Sequence, residues 1–495
     1  MRSGEHDTNL RLMRLKMHAL RLVNVVCFCL CVTPSQNFAV AAERPNVLLI
    51  LADDLGWSDL SAYGHSWHRT PHLNALAAGG KRFTAASAAA PICSASRAAL
   101  LTGRSTARLN FEFVTKYEPG RHQIDLPVPL LTPEYTLSLP LRERTIAECL
   151  ADVGYRTAFF GKWHLNAHHQ RYLGWSPTLG PLQQGFMTAE EDFGSHPYSW
   201  GKRTPVPITR RGEYADDSMI SRAVGFLQQD HADPFFLMVS LFHVHTPVRT
   251  RHRWLQQEYA AQLPASLPAR QRRVDYAAFV TELDHQVGRL LQALHDSGTH
   301  SNTLVLFTSD NGGHPEYTAN APLRGSKWNL YEGGIRVPLL ASWPGRIAEN
   351  SVCDGAVCGI DLLPTLLELA GGPLPAELDG RSIVRELFSE TGSASRELYW
   401  HFPYYHPETG YADALPAIGM NDFAVSRTQP HSALRSGNNK LLYFHEDQRR
   451  ELYNLATDPG KLTDLSDRDP YLAADLQRRL LQLLEGVDAR FPVRR

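Results

Sequence analysis

The chain has 495 residues, 50 basic against 51 acidic, and 43% of them are apolar. That length can bury a large core and leaves room for two or three units, or one large domain with an appendage. The balanced charge offers no single-sign field of the kind that marks nucleic-acid binding, and no fixed-period repeat or low-complexity tract interrupts the sequence.

Residues 1–42 read as a secretory signal peptide. Arg11, Arg14, Lys16 and Arg21 precede the apolar run "LVNVVCFCLCV", and Ala39 and Ala41 supply an A-x-A-like cleavage site. The run is about half of the roughly 20 residues that span a bilayer. The expectation is an exported protein, periplasmic or secreted, without stable membrane insertion after cleavage; the alternative is a retained anchor. Cleavage would remove Cys27, Cys29 and Cys31 and leave Cys93, Cys149, Cys353 and Cys358, too few for a disulfide-built scaffold. Cys149 reads as a small core residue. Cys353 and Cys358 are close enough in sequence to pair if their geometry allows it.

From Arg44 onward, apolar runs alternate with helix-like stretches. The runs are "NVLLILADD" (46–54), "YRTAFFGKWHL" (155–165), "PFFLMVSLFHVH" (234–245), "NTLVLFTSDNGG" (302–313) and "VPLLASWPG" (337–345). Their unbroken hydrophobicity predicts strands buried on both faces. Between them a helix is expected near Cys93. Another should start at the capping box Thr145–Glu148 and stop at Gly154. In residues 274–294 a stripe of Phe279, Leu283, Val287, Leu290 and Leu294 predicts a third. The alternation predicts an α/β fold: a large mixed, mostly parallel sheet covered by helices on both faces. After Gly372 short strand candidates and a closing helix at 470–486 predict a smaller C-terminal subdomain with a short antiparallel sheet. The expected domains are 43–375 and 376–495.

Four of these runs end on ionisable or amide groups: Asp53 and Asp54, Lys162 and His164, His243 and His245, Asp310 and Asn311. In open α/β sheets the ligand site lies beyond the carboxyl ends of the strands. Singly, each Asp reads equally well as a turn cap and each His as a structural residue; together they predict one site. Asp53, Asp54, Asp310 and Asn311 offer only oxygens, which suits a hard cation such as Ca²⁺ or Mg²⁺, and no H-E-x-x-H or paired C-x-x-C zinc signature is present. Arg97, Lys162, Lys327, His164 and His245 would face that cluster as an anion pocket, aided by a helix N-terminus near Cys93. An oxyanion ester, phosphate or sulfate, is the inferred substrate.

The stretches "RPNVLLILADDLGWSDL", "PICSASRAALLTGR", "GKWHL", "HVHTP", "TSDNGG" and "LRGSKWNLYEGGIRVPLLASWPG" occur in that order over residues 44–345, with "ELYNLATDPG" at 451–460. In these the chain resembles the formylglycine-dependent sulfatases of the alkaline phosphatase superfamily. The resemblance implies that a maturation enzyme oxidises Cys93 to Cα-formylglycine, whose hydrated aldehyde attacks the sulfur and then expels sulfate through its second hydroxyl. It implies one calcium ion on Asp53, Asp54, Asp310 and Asn311, completed by residue 93. Arg97 and His164 would orient formylglycine. Lys162 and Lys327 would clamp the sulfate, and His245, with Lys327 near enough to share the task, would protonate the leaving alcohol. His243 stays outside this set.

Two positions depart from the family's pattern: Ala95, where Pro is frequent, and Asn166, where Gly is frequent. The second points to a change in the substrate pocket. A phosphate or phosphonate ester hydrolase of the same superfamily is the rival activity, and a binding protein on a decayed scaffold the non-enzymatic one. The loops 166–175, 190–203 and 401–411 are rich in aromatics and histidine. They suit a sulfated carbohydrate over a small aryl sulfate, unless their rings only pack the loops down.

Overall fold

Each of the five apolar runs forms a strand, and alternate side chains of each strand enter opposite layers of core. In the Asn46–Ala52 strand, Val47, Leu49 and Leu51 join one cluster while Leu48, Ile50 and Ala52 join the other. That division explains the unbroken hydrophobicity: both faces of the strand are covered. The computed structural model describes residues 44–122, 127–200, 209–318, 320–389, 396–405, 428–460 and 463–495. The expected signal peptide lies outside them.

The main sheet has eight strands in the order Ser351–Cys353, Lys81–Phe83, Leu339–Ser342, Thr303–Ser309, Asn46–Ala52, Phe235–Ser240, Arg156–Gly161 and Thr188–Glu190. All neighbours pair in parallel except Leu339–Ser342, which runs against both of its neighbours. Helices Cys93–Thr102, Ile146–Asp152 and Leu362–Ala370 cover one face, through residues such as Ala99, Leu150 and Leu366. Pro71–Ala78, Ser218–Leu227 and Arg270–Asp296 cover the other, and the stripe from Phe279 to Leu294 is fully buried there. The capping box forms as expected. Thr145 Oγ1 accepts from Glu148 N at 3.2 Å, and Thr145 N donates to the Glu148 carboxylate at 2.9 Å.

A separate four-stranded antiparallel sheet follows: Glu397–Phe402, His431–Ser436, Asn439–Phe444 and Arg450–Asn454. Helix Pro470–Glu485 packs Ala473, Leu476, Leu480 and Leu484 on its outer face, against Leu434, Leu441 and Leu452. The inner face sends Trp400, Phe402, Leu442 and Phe444 into the same core as the main sheet. Cys93, Cys149, Cys353 and Cys358 are all buried free thiols, so Cys353 and Cys358 do not pair.

Gly161 closes its strand with φ +111°, and a Cβ there would sit 1.9 Å from the Ser240 carbonyl oxygen. No L side chain fits between these two strand ends without moving one of them. Gly161→Ala should therefore cost about 1–3 kcal/mol, read as a lower urea midpoint at unchanged m-value.

Candidate active site

Thr303–Ser309, Asn46–Ala52, Phe235–Ser240 and Arg156–Gly161 are consecutive in the sheet and parallel, so their carboxyl ends open on one edge. Asp310–Asn311, Asp53–Asp54, the 243–245 turn and Lys162–His164 follow directly from those ends. Helix Cys93–Thr102 points its first residue at the same place. Cys93 Sγ lies 3.5 Å from Asp53 Oδ1 and 3.8 Å from Asp54 Oδ1, and all three residues are buried. Burial pushes the thiol well above its ordinary pKa, although Lys162 and Lys327 pull the other way. As a thiol, Cys93 is a poor nucleophile here.

Each carboxylate of the cluster meets a cation. Lys162 Nζ lies 2.6 Å from Asp53 Oδ2, and Lys327 Nζ lies 2.7 Å from Asp54 Oδ2. Arg97 donates through Nε to Asp310 Oδ2 at 2.9 Å, and its Nη2 approaches the same oxygen at 2.8 Å. Its Nη1 donates to the Lys162 carbonyl at 2.8 Å and to Ser240 Oγ. Burial opposes ionisation of Asp54, but Lys327, with His245 and Lys162, holds the carboxyl far below the usual range. For Asp310 burial, reinforced by Asp53, prevails over Arg97 and lifts the carboxyl to about 6.

Asn311 donates from Nδ2 to Asp54 Oδ1 at 2.7 Å and to the Gly312 carbonyl at 2.9 Å. Its buried Oδ1 has no hydrogen-bond partner among the described residues. Such an orphaned acceptor beside carboxylates has the chemistry of a cation ligand. Ligand atoms of Asp53, Asp54, Cys93 and His245 all lie within 4.8 Å of one another. The donor set therefore fits a hard metal ion.

His245 Nδ1 lies 2.6 Å from the Thr246 carbonyl, which places the ring proton on Nδ1 and leaves a lone pair on Nε2. Nε2 faces Lys327 Nζ at 3.4 Å and Asp54 Oδ2 at 3.6 Å. Burial, followed by Lys162 and Lys327, pushes this imidazole down to about 3. His164 has φ +56°, is buried beside His168, and its Nδ1 has no partner among the described residues. His243 turns away from the carboxylates, with Nε2 3.7 Å from Glu282.

Above this floor opens a cleft of about 740 Å³. Cys93, His164, His245 and Lys327 line its base, and Tyr172, Tyr198, Tyr317 and Trp328 stand in its walls. Loop 166–175 thus contributes His168 and Tyr172, and loop 190–203 contributes Tyr198. The described part of 401–411 does not reach the cleft: His401, Tyr404 and Tyr405 are buried in the C-terminal region. Asn166 is likewise no pocket residue; it is buried and bonds the Ala167 and Gly174 carbonyls, closing its own loop.

Ser240 is not marked by any motif in the sequence, and Tyr198 is marked only as one aromatic of the loop 190–203. Ser240 is a strand residue that only the fold brings beneath Arg97. Tyr198 Oη donates to the Thr246 carbonyl at 2.9 Å and lies 3.0 Å from His245 Nδ1.

Residues 45–372 match the sulfatase family pattern, and residues 326–488 match the N-sulphoglucosamine sulphohydrolase C-terminal pattern. The chain belongs to the sulfatase family. It is 33% identical to a sulfatase of Formosa agariphila over 90% of this chain and 89% of that one. Human arylsulfatase A is 34% identical over 85% of this chain and 83% of its own length, and human N-acetylgalactosamine-6-sulfatase 34% over 90% and 85%. Among solved structures, Ps i-CgsB in complex with k-i-k-neocarrahexaose superposes with TM-score 0.70 at 25% identity, covering 89% of this chain and 93% of that one. The phosphonate monoester hydrolase of Agrobacterium radiobacter, at 22% identity and TM-score 0.60, shares the fold. The sulfatase is accordingly a sulfuric ester hydrolase.

Tyr198→Phe removes the hydroxyl that braces both His245 and the Thr246 carbonyl. Loss of this half-buried contact should lower kcat about tenfold, in line with ~1–2 kcal/mol for a hydrogen bond in such a place. Steady-state kinetics on an aryl sulfate, beside the thermal midpoint, checks it.

Proposed function

We propose that the protein is an exported carbohydrate sulfatase. It would act through formylglycine made from Cys93 and one calcium ion held by Asp53, Asp54, Asp310, Asn311 and residue 93. One observation carries this reading: Cys93 heads a helix beside Asp53 and Asp54, where Asn311 Oδ1 lacks a partner among the described residues. When bound, the ion supplies Lewis-acid polarisation of the sulfate and favours the ionised nucleophile. The hydrated aldehyde supplies one oxygen for attack and a second hydroxyl whose deprotonation releases sulfate. A maturation enzyme must make that aldehyde.

The remaining work falls to the chain's own residues. Arg97, fixed on Asp310, and His164 orient residue 93. Lys162 and Lys327 hold the sulfate oxygens, where their charges count most because the floor excludes water. Lys327 gives the leaving alcohol its proton, and His245 Nε2 holds that ammonium in place. A dication added to a cluster whose carboxylates are already matched by cations leaves an excess positive charge, which favours an anionic ester. Residues 43–375 would form the catalytic domain and 376–495 the C-terminal subdomain. The carbohydrate reading draws on the aromatic cleft walls and on the relatives, whose names include an N-acetylgalactosamine-6-sulfatase.

Mass spectrometry of the peptide holding Cys93 in exported protein should give a mass about 18 Da below the thiol form, the difference between thiol and aldehyde. Cys93→Ala should release no sulfate. An intact thiol in fully active enzyme sinks the formylglycine claim, and faster turnover of matched phosphate or phosphonate esters sinks the sulfate preference. Calcium is tested apart from activity. Added Ca²⁺ should raise the thermal midpoint of chelator-treated wild type but not of Asn311→Leu, and an equal rise in both would remove Asn311 from the ligand set.

A further inference from the structure

The segment that carries His245 from the base of the cleft runs on as "HTPVRTRHRWLQQ" (245–257), which contains Arg249, Arg251 and Arg253 and no acidic residue. Thr246 and Pro247 line the cleft. Arg249 therefore begins at most about 7 Å beyond it, the reach of two extended residues.

The segment alternates. Thr250 and His252 turn inward onto the buried Glu282: Thr250 Oγ1 donates to its carboxylate, and His252 Nδ1 lies 2.8 Å from it. Arg249 and Arg253 are exposed, and between them Arg251 lays its guanidinium 4.9 Å over the Trp200 ring. Trp200 follows the cleft-lining Tyr198 by two residues, which brings its ring close to the rim.

No carboxylate among the described residues forms an ion pair with Arg249, Arg251 or Arg253. Glu282 is spent on Thr250 and His252, and Glu258 is shared by Arg69 at 2.8 Å and Arg211 at 3.0 Å. Arg253 also opens the helix Arg253–Gln262, where the helix dipole disfavours a cation. Uncompensated guanidinium groups beside an aromatic face match a sugar ring that bears an oxyanion.

We propose that Arg249, Arg251 and Arg253, with the Trp200 ring, form an anion-binding strip at the rim of the cleft. The strip holds a second acidic group, sulfate or carboxylate, of the glycan whose sulfate ester is cleaved. This rests on the carbohydrate reading above and narrows it to oligosaccharides with at least two anionic groups. Bidentate guanidinium contacts would give the strip geometric selectivity as well as attraction.

The test is calorimetric binding of a heparin-derived hexasaccharide to the whole enzyme, as wild type, Arg249→Ala/Arg253→Ala and Arg249→Lys/Arg253→Lys. The alanine pair should weaken Kd about tenfold, with the lysine pair between the two, since a lysine keeps the charge without the fork. The difference between wild type and the alanine pair should vanish near 0.5 M salt, roughly where the screening length falls below 5 Å. The ratio of kcat/KM on a sulfated oligosaccharide to that on an aryl sulfate should fall with it, through KM. Equal Kd values for wild type and the alanine pair would overturn the strip. An equal loss of affinity for a DNA hexanucleotide would make it a generic polyanion surface and overturn the glycan assignment. Failure of the carbohydrate reading registers elsewhere: wild type would cleave the aryl sulfate and no sulfated oligosaccharide.

Discussion

Asp53, Asp54 and Asp310 share one buried floor, and Lys162, Lys327 and Arg97 answer them one for one. Two carboxylates some 4 Å apart repel by about 4 kcal/mol even at an effective dielectric near 20. Leaving any one unmatched would cost several kcal/mol more in desolvation, as an order-of-magnitude figure. The rest of the site follows from that constraint. Lys162 reaches Asp53 because their strands flank Phe235–Ser240 in parallel. Arg97 spans the floor because its helix starts at Cys93. Ser240 sits beneath Arg97 to take the hydrogen bond that no carboxylate takes.

Lys327 comes from no strand end. It lies on a connection whose neighbours are tied to the C-terminal sheet. Leu330 N donates to His431 Nε2 at 2.9 Å, the Tyr331 hydroxyl bonds Glu451, and Lys440 pairs with the buried Glu332 at 2.7 Å. Trp328 N meanwhile donates to the carbonyl of Pro91, two residues before Cys93. The ammonium is thus held between the helix that presents Cys93 and a sheet built from the last hundred residues. Precision at the site comes from both parts of the chain.

Much of this was legible in the sequence, for identifiable reasons. Fully buried parallel strands announce themselves as unbroken apolar runs, and the switch to Asp, Lys or His at their ends marks the functional edge. The capping box at Thr145 and the stripe from Phe279 to Leu294 were equally plain. Strand direction was not. Leu339–Ser342 is as apolar as its neighbours, and burial on both faces looks the same whichever way a strand runs. Lys81–Phe83, Thr188–Glu190 and Ser351–Cys353 are too short to show a period. Ser240 and Tyr198 carry no local signature, since their partners are distant in sequence. Asn166 misled, because a departure within a motif can serve its own loop. The anchoring of Thr250 and His252 on Glu282 could not be seen from a stretch without regular structure.

The ties that fix Lys327 also bear on time. A chain leaves the ribosome N-terminus first, at about 5–20 residues per second, so the strands near Asp53 and Asp310 exist well before His431, Lys440 and Glu451. Until those late residues arrive, the connection that carries Lys327 is held on the Pro91 side alone and lacks its ties to the C-terminal sheet. The last stretch of the polypeptide therefore acts as the latch on a device assembled from its beginning. A nascent or C-terminally shortened chain would hold the reactive groups with Lys327 tied from one side only.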